Sequence, residues 1–556
     1  MIGNEAFQIE NSSLTSIALG DGITEIGSGA FTRCRNLTSV TIPSSVTTIK
    51  DSAFSICTSL TSITIPDNVT EIGSSAFSQC YELQSVSIGN GITKISNLLF
   101  SSCNKLTNVS LTDNITEIGE NAFNGCSSLT TFTIPNSVTA ISAYTFKGCR
   151  SLTAINIHDK ITSIGRGAFN GCNGLQSVTI GNSVTKIEDS AFSAGNVSLA
   201  SLTIPESVTE IGSNAFSGMT VDELTINGAV VEAPFTGLFW HTNFTFKKLT
   251  IGGNITKIGE RAFAGCKVET LEILNGVTAI DSNAFLNCRN LTSVTMPSSI
   301  TIVYAEAFYK CANVKRVDIS DLSAWCKTEF RGNPANPLYS GLAKLYLNNE
   351  EITELTIPSD VTVIKAHAFT GCSNNLKCVT IPESVTEIGE RAFGDCNTDE
   401  LIINSKIIET DYLYSNNRGW HDYFNFKKCT IGDNVTSLGN KAFYGCSSLT
   451  SVTIPNRKTI LNSVWWIGNS AFEACSSLTS ITIPDIVTEI GLYAFRDCRS
   501  LTSVYFKATT PPTGGWDMFY NNASGRKIYV PTASVDAYKA AYSWKDYADD
   551  IVGYDF

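Results

Sequence analysis

Charge is scarce in this chain. Asp, Glu, Lys and Arg make up 16 % of its 556 residues, and the balance is acidic, with a formal net charge of −12. A nucleic-acid binder needs a basic stripe to neutralise phosphates, so that class is excluded. No run of about 18 apolar residues occurs, so no membrane-spanning segment is expected. Histidine is rarer still. His158, His241, His367 and His421 are the whole complement, and none has Cys, Asp or Glu at a recognised metal-ligand spacing. No G-x-S-x-G nucleophile motif is present. Catalysis, metal and cofactor are therefore not expected. The first residues lack a basic segment followed by an apolar one, so no signal peptide is read there. Instead MIGNEAF (Met1–Phe7) matches EIGSGAF (Glu25–Phe31), and the natural chain is expected to begin further upstream.

Apolar residues are plentiful at 43 %, which excludes disorder, and they recur. Phe31, Phe54, Phe77, Phe100, Phe123, Phe146, Phe169 and Phe192 follow one another at steps of 23 residues. Within one unit, LTSITIPDNVTEIGSSAFSQC (Leu60–Cys80), Leu60, Ile63 and Ile65 alternate with Ser62 and Thr64 as a short strand does. Pro66 ends it, since proline cannot donate to a ladder. Val69 to Gly73 reads as a second extended piece, and Ala76-Phe77 as a short helical or 3-10 corner. One unit cannot bury its apolar side chains alone. Stacking units at about 4.8 Å lets each cover the next, giving a solenoid of in-register ladders. The spacing L-x-x-L-x-L and the period place it in the leucine-rich-repeat class.

The cysteines obey the same step from Cys34 through Cys57, Cys80, Cys103, Cys126 and Cys149 to Cys172, after which the site holds Gly195 and Met219. Gly or Met in place of a disulfide half or zinc ligand would orphan its partner. A buried ladder of small reduced thiols is expected, with disulfides and metal as the alternatives. Cys378 is the exception, because in LKCVTI it takes an outward strand place. The outward columns Ser39, Ser62, Ser85, Asn108 and Thr41, Thr64, Ser87, Ser110 read as an ordinary wet sheet face. The alternative is a hydroxyl array facing a polar surface such as a glycan or ice. His367 is expected at the solvated surface.

Insertions interrupt the rhythm near residues 223–252, 317–355, 400–432 and 457–462. The first and third are copies, since WHTNFTFKK from Trp240 faces WHDYFNFKK from Trp420. The second, from Val317, contains LSAWCKTEF, a helix candidate around Leu322–Phe330 followed by two strand-like pieces. The fourth, RKTILN, precedes Trp465-Trp466, which take the outward Thr-Glu places of SVTEIG. The tail, KIYVPTASVDAYKAAYSWKDYADDI, reads as a strand and an amphipathic helix whose Val535, Tyr538, Ala541 and Trp544 face the last coil. Residues 1–506 are thus expected to form the solenoid and 507–556 a cap. Tryptophan and tyrosine concentrate binding energy, so the candidate ligand-contacting residues are Trp240, His241, Phe244, Trp420, His421, Tyr423, Trp465 and Trp466. The competing reading is that Trp and Phe close the core where the coil is distorted. Trp240 and Trp420 are expected to pack on the coil, leaving His241, His421 and Tyr423 partly exposed.

The IPxSVTxIGxxAFxxC unit, the LSAWCKTEF insertion and the IYVPTASVDAYKAA tail together resemble the BspA-like leucine-rich-repeat proteins of bacteria. The resemblance implies a mostly β, α/β-type repeat solenoid with a parallel sheet, short corners and a strand–helix cap. It implies a cell-surface or secreted protein without catalytic residues. Some members are adhesins for host extracellular-matrix proteins. A monomeric, non-catalytic binder of a host surface protein or a glycan is the expectation, and a structural spacer displaying another domain is the alternative.

Overall fold

The computed structural model describes residues 1–8, 13–232, 240–241, 243–252, 254–372, 376–409, 420–456 and 465–556. They form two compact units, Met1–Gly276 and Val277–Phe556, each built of stacked parallel strands with few helices.

In the first unit most coils contribute two short strands, and the 23-residue step becomes the pairing register. Ser62–Ile65 pairs with Ser85–Ile88, which pairs with Asn108–Ser110, residue for residue. Beside them Glu25–Ile26, Thr48–Ile49 and Glu71–Ile72 form a second ladder. Inward Ile63 and Ile65 are buried while Ser62 and Thr64 face solvent, as the alternation requires. The Phe rings stack through the core from Phe7 to Phe216. Successive centroids lie between 4.9 Å (Phe7–Phe31) and 5.9 Å (Phe77–Phe100) apart. Such offset stacks add to the burial of each ring.

The corner around each Phe is a pair of turns. Ser55 N donates to Ser52 O at 3.0 Å and Cys57 N to Phe54 O at 3.3 Å. Residues two before and two after the Phe take left-handed conformations, for example Ser52 (φ 55°) and Ile56 (φ 62°). That is costly for a β-branched residue. The stack imposes it: the N–H groups of Ser52, Phe54 and Ile56 all donate to the next coil, at 2.8–2.9 Å. The glycine of EIG has a different reason. A Cβ on Gly73 would lie 2.4 Å from Asp51 N of the preceding coil, too close for any side chain.

The ladder thiols act as donors as well as filler. Cys57 Sγ donates to Phe31 O and Cys80 Sγ to Phe54 O, both at 3.3 Å, and Cys103 Sγ to Phe77 O at 3.2 Å. Every cysteine is free, and all are buried except half-buried Cys378. Burial pushes the Cys126 thiol up to about 12. Gly195 and Met219 fall where the turn after Phe straightens, alongside and within the eight-residue strands Val197–Ile204 and Met219–Ile226. The repeated threonines also make a ladder. Thr61 Oγ1 donates to Thr38 O at 3.3 Å and Thr70 Oγ1 to Thr47 O at 3.3 Å.

In the second unit Arg316–Ile319 pairs in parallel with Lys344–Leu347, which folds back as an antiparallel hairpin onto Glu350–Glu351. Asn348 and Asn349 turn it with φ of 50° and 72°. The expected helix forms over Leu322–Lys327, capped by Asp321, whose carboxylate accepts from Ala324 N at 2.9 Å. It stops short of Phe330 because Thr328 turns extended, its hydroxyl bonded to Ile300 O and Ala324 O. Trp325 is buried and donates to Ala368 O at 2.9 Å, tying this coil to the Phe369 corner beyond the hairpin. His367, expected at the surface, is half-buried in the left-handed corner place (φ 61°), and burial lowers its pKa.

At the end of this unit Lys527–Pro531 is followed by the helix Val535–Ala540, 3-10 turns over Tyr542–Asp550 and a further parallel strand, Ile551–Tyr554. Tyr538 and Trp544 are buried and bonded to Ala508 O and Pro512 O, while Val535 and Ala541 are only half-covered. Among the described residues, no helix is long and apolar enough to cross a membrane, and no cluster of three or more His, Cys, Asp or Glu is placed to hold a metal ion.

Candidate functional site

The strand ladder continues across both paired insertions. Thr220 pairs with Thr245 in the first unit, and Cys396 with Phe424 in the second, so the chain completes a turn in 25 and 28 residues instead of 23. The sequences WHTN (240–243) and WHDY (420–423) directly precede Phe244 and Phe424.

In the first unit, buried Phe244 takes the ladder place, 5.3 Å from Phe216, and Trp240 packs edge-on to Phe216 and Phe263 at 6.3 and 6.4 Å. His241 is buried, 7 % exposed, which corrects the expectation of partial exposure. Its Nδ1 lies 3.6 Å from Cys266 Sγ. In ordinary coils that thiol meets a Phe carbonyl, so the imidazole substitutes for the missing acceptor. Burial holds His241 neutral, with its pKa lowered to about 4.

The second unit repeats the device. Trp420 is buried, Phe424 stacks 4.9 Å from Phe393, and His421 is 6 % exposed, again against expectation. His421 Nε2 donates to Lys441 O at 3.4 Å, leaving Nδ1 to face Cys446 Sγ at 3.7 Å. Burial lowers its pKa, with Asp422 opposing. Four of the candidates, Trp240, His241, Trp420 and His421, thus close the core.

Trp465 is corrected as well. It is buried, with Nε1 donating to Val435 O at 3.2 Å. It pairs with Val487 while Trp466 pairs with Glu489, a bulge that moves Trp465 from the outward Thr place to the inward Val place. Trp466 stays half-buried. The segment RKTILN before them lies outside the described residues.

What distinguishes the second corner is what surrounds Tyr423. Tyr423 is 47 % exposed, as expected, and Tyr444 is 43 % exposed. Both line a cleft of about 300 Å³ with His421, Asp422, Asn425 and Ser448. The Arg391 guanidinium lies 4.2 Å from the Tyr423 ring centroid and the Lys441 ammonium 5.5 Å from that of Tyr444. Asn425 is tied to Asn397 at 2.9 Å and accepts from Ser448 Oγ at 3.4 Å. Aligning the two corners would have exposed the difference: Asp422, Tyr423 and Tyr444 stand where the first copy has Thr242, Asn243 and Ala264.

The repeat profile described as "BspA type Leucine rich repeat region (6 copies)" matches residues 1–130, 116–233, 236–333, 343–422 and 416–547. The chain belongs to the BspA-type leucine-rich-repeat family. No curated protein matches this BspA-type chain. Among solved structures, it is similar to a leucine-rich repeat protein from Bacteroides ovatus at 21 % identity, over 89 % of this chain and 92 % of that one, with a TM-score of 0.26. A leucine rich cell surface protein from Faecalibacterium prausnitzii is 26 % identical over 68 % of this chain and 89 % of that one, with a TM-score of 0.29. The pneumococcal vaccine antigen PcpA is 15 % identical, with 89 % of each chain covered and a TM-score of 0.24. Superpositions this loose add nothing to the repeat match, on which the family assignment rests.

Proposed function

We propose that this BspA-type chain is a non-catalytic, adhesin-like binding protein at the cell surface or secreted. Its contact point is the Tyr423–Tyr444 cleft, offered to a host extracellular-matrix or other surface protein, or to a glycan. The observation that carries this reading is two half-exposed tyrosines beside Asp422, on a corner whose twin lacks all three. Tyrosine gives a large contact area, rigid once packed, with a polar tip. The corner beneath is held by Trp420, Phe424 and the His421–Cys446 contact, so little ordering is required on binding. Of the eight candidates, Tyr423 is the one left to meet a partner, with Trp466 half-covered. The test is a screen of the whole chain against immobilised matrix proteins and glycans. Saturable binding to at least one is expected; binding to none would return the chain to the role of a spacer.

A further inference from the structure

Among the described residues, the most exposed aromatic side chains lie elsewhere in the second unit. Trp516 is 74 % and Tyr542 82 % exposed. Every other tryptophan is buried, apart from half-covered Trp466. A single exposed apolar side chain is ordinary; two exposed aromatic rings on one cleft are informative. Trp516 stands three residues before Phe519 of the Phe stack, a place held elsewhere by small, polar or charged residues such as Ser74, Glu120 and Asn469, and by Leu492 in the adjacent coil.

Trp516 and Tyr542 line one cleft of about 300 Å³, at the lower end of ligand-sized pockets, together with Asp517, Ser543, Lys545 and Asp546. Its walls are fixed from behind. Gly515 N donates to Ile490 O at 2.7 Å and Tyr493 N to Trp516 O at 3.1 Å. Across the cleft, buried Trp544 anchors the segment of Tyr542 and Ser543 through its bond to Pro512 O at 2.8 Å. Tyr547, at the base, packs edge-on to Phe519 at 5.4 Å and accepts from Phe519 N at 3.5 Å. Beside these anchored segments both rings stay exposed.

We propose that this cleft is a second binding site, independent of the Tyr423–Tyr444 cleft, and that it takes a neutral pyranose unit of a glycan. The C–H face of a sugar ring lies on the negative face of the Trp516 indole, with Tyr542 as the second wall. Sugar hydroxyls both donate and accept, and the rim supplies both complements. Asp517 and Asp546 accept; the Lys545 ammonium and Ser543 hydroxyl donate. A cationic side chain would gain from two carboxylates against one ammonium, but it would leave the Lys545 and Ser543 donors unused. The mixed rim therefore favours the neutral polyol.

The probes are maltose, cellobiose, lactose and diacetylchitobiose at millimolar concentration, titrated into the whole chain with saturation-transfer NMR reading the contact. At least one disaccharide should bind through its ring C–H protons. Trp516→Ala should weaken it about tenfold or more, the loss of one good contact. Trp516→Phe should retain part of the affinity, and melting should be unchanged because the side chain is exposed. The double variant Tyr423→Ala/Tyr444→Ala should bind the sugar as the parent does, which separates this site from the first. Binding by none of the four sugars, binding that survives Trp516→Ala together with Tyr542→Ala, or a preference for a lysine-rich peptide over every sugar would each overturn the proposal.

Discussion

Removing one ring from the Phe stack tests how the first unit is held together. Phe146 has no exposed surface. It stacks on Phe123 at 5.6 Å and on Phe169 at 5.3 Å, and meets the edge of Phe132 at 4.6 Å. Phe146→Ala leaves the backbone bonds of this corner in place, including the carbonyl that accepts from Cys172 Sγ at 3.1 Å. The loss is therefore ring burial plus a cavity closed in by neighbouring rings, about 3–5 kcal/mol. Phe7 is the control. It is 40 % exposed and stacks on Phe31 at 4.9 Å. Full burial of such a side chain is worth about 1.5–3 kcal/mol, and water fills the space it leaves, so Phe7→Ala should cost about 1–2 kcal/mol. Repeat arrays need not unfold in one step, so a melting temperature alone is ambiguous. Amide hydrogen exchange at Phe123, Phe146 and Cys149 reads the local stability directly. For Phe146→Ala it should quicken about 100-fold or more. Equal acceleration by the two variants, or none at the corners flanking residue 146, would refute the stacked-ladder reasoning.

The thiols should separate in native-state labelling: Cys378 is half-buried and the rest are buried, so a maleimide should find it first. Burial also raises the Cys378 thiol, so the labelling should be slower than that of a free cysteine. Comparable rates at Cys103 or Cys126 would contradict the inward assignment. The buried imidazole of His241 sets an acid limit. Its pKa falls from 6.5 to about 4, so between these values the unfolded chain binds the proton and the folded one does not. Stability of the first unit should therefore decline as pH falls through that window, by at most about 3 kcal/mol, and His241→Gln should flatten the profile. An NMR titration placing His241 near its ordinary value would disprove the burial argument.

Much of this was legible in the repeat. A fixed step on an alternating pattern dictates parallel pairing in register, with Ile63 and Ile65 in and Ser62 and Thr64 out. The family match agrees with the resemblance read from the IPxSVTxIGxxAFxxC unit. What escaped depends on neighbours that local pattern does not encode. Ile56, Leu98 and Tyr144 carry no sign of a left-handed conformation, which the hydrogen bonds of the next coil impose. The burial of His241 and His421 goes with their contacts to Cys266 and Cys446 of the adjacent coil. The inward turn of Trp465 comes from a one-residue bulge that the alternation of its own strand cannot show. Tyr423 and Tyr444 line one cleft because the coil returns one level on, and a lone tyrosine in AFYGC carries no local sign of a site. The last strand, Ile551–Tyr554, is short and contains Gly553, so it left no strand signal in the tail.

The proposed contact point with the partner is the Tyr423–Tyr444 cleft. The most direct measurement is the dissociation constant of the whole chain, and of its Tyr423→Ala/Tyr444→Ala variant, for whichever matrix protein or glycan is still captured when Trp516→Ala removes the other cleft. Both side chains are half-exposed, so the variant should melt close to the parent. Its affinity should fall about 30-fold or more, as for the loss of a binding hot spot. A variant that binds as tightly as the parent, with the same melting temperature, would contradict the claim.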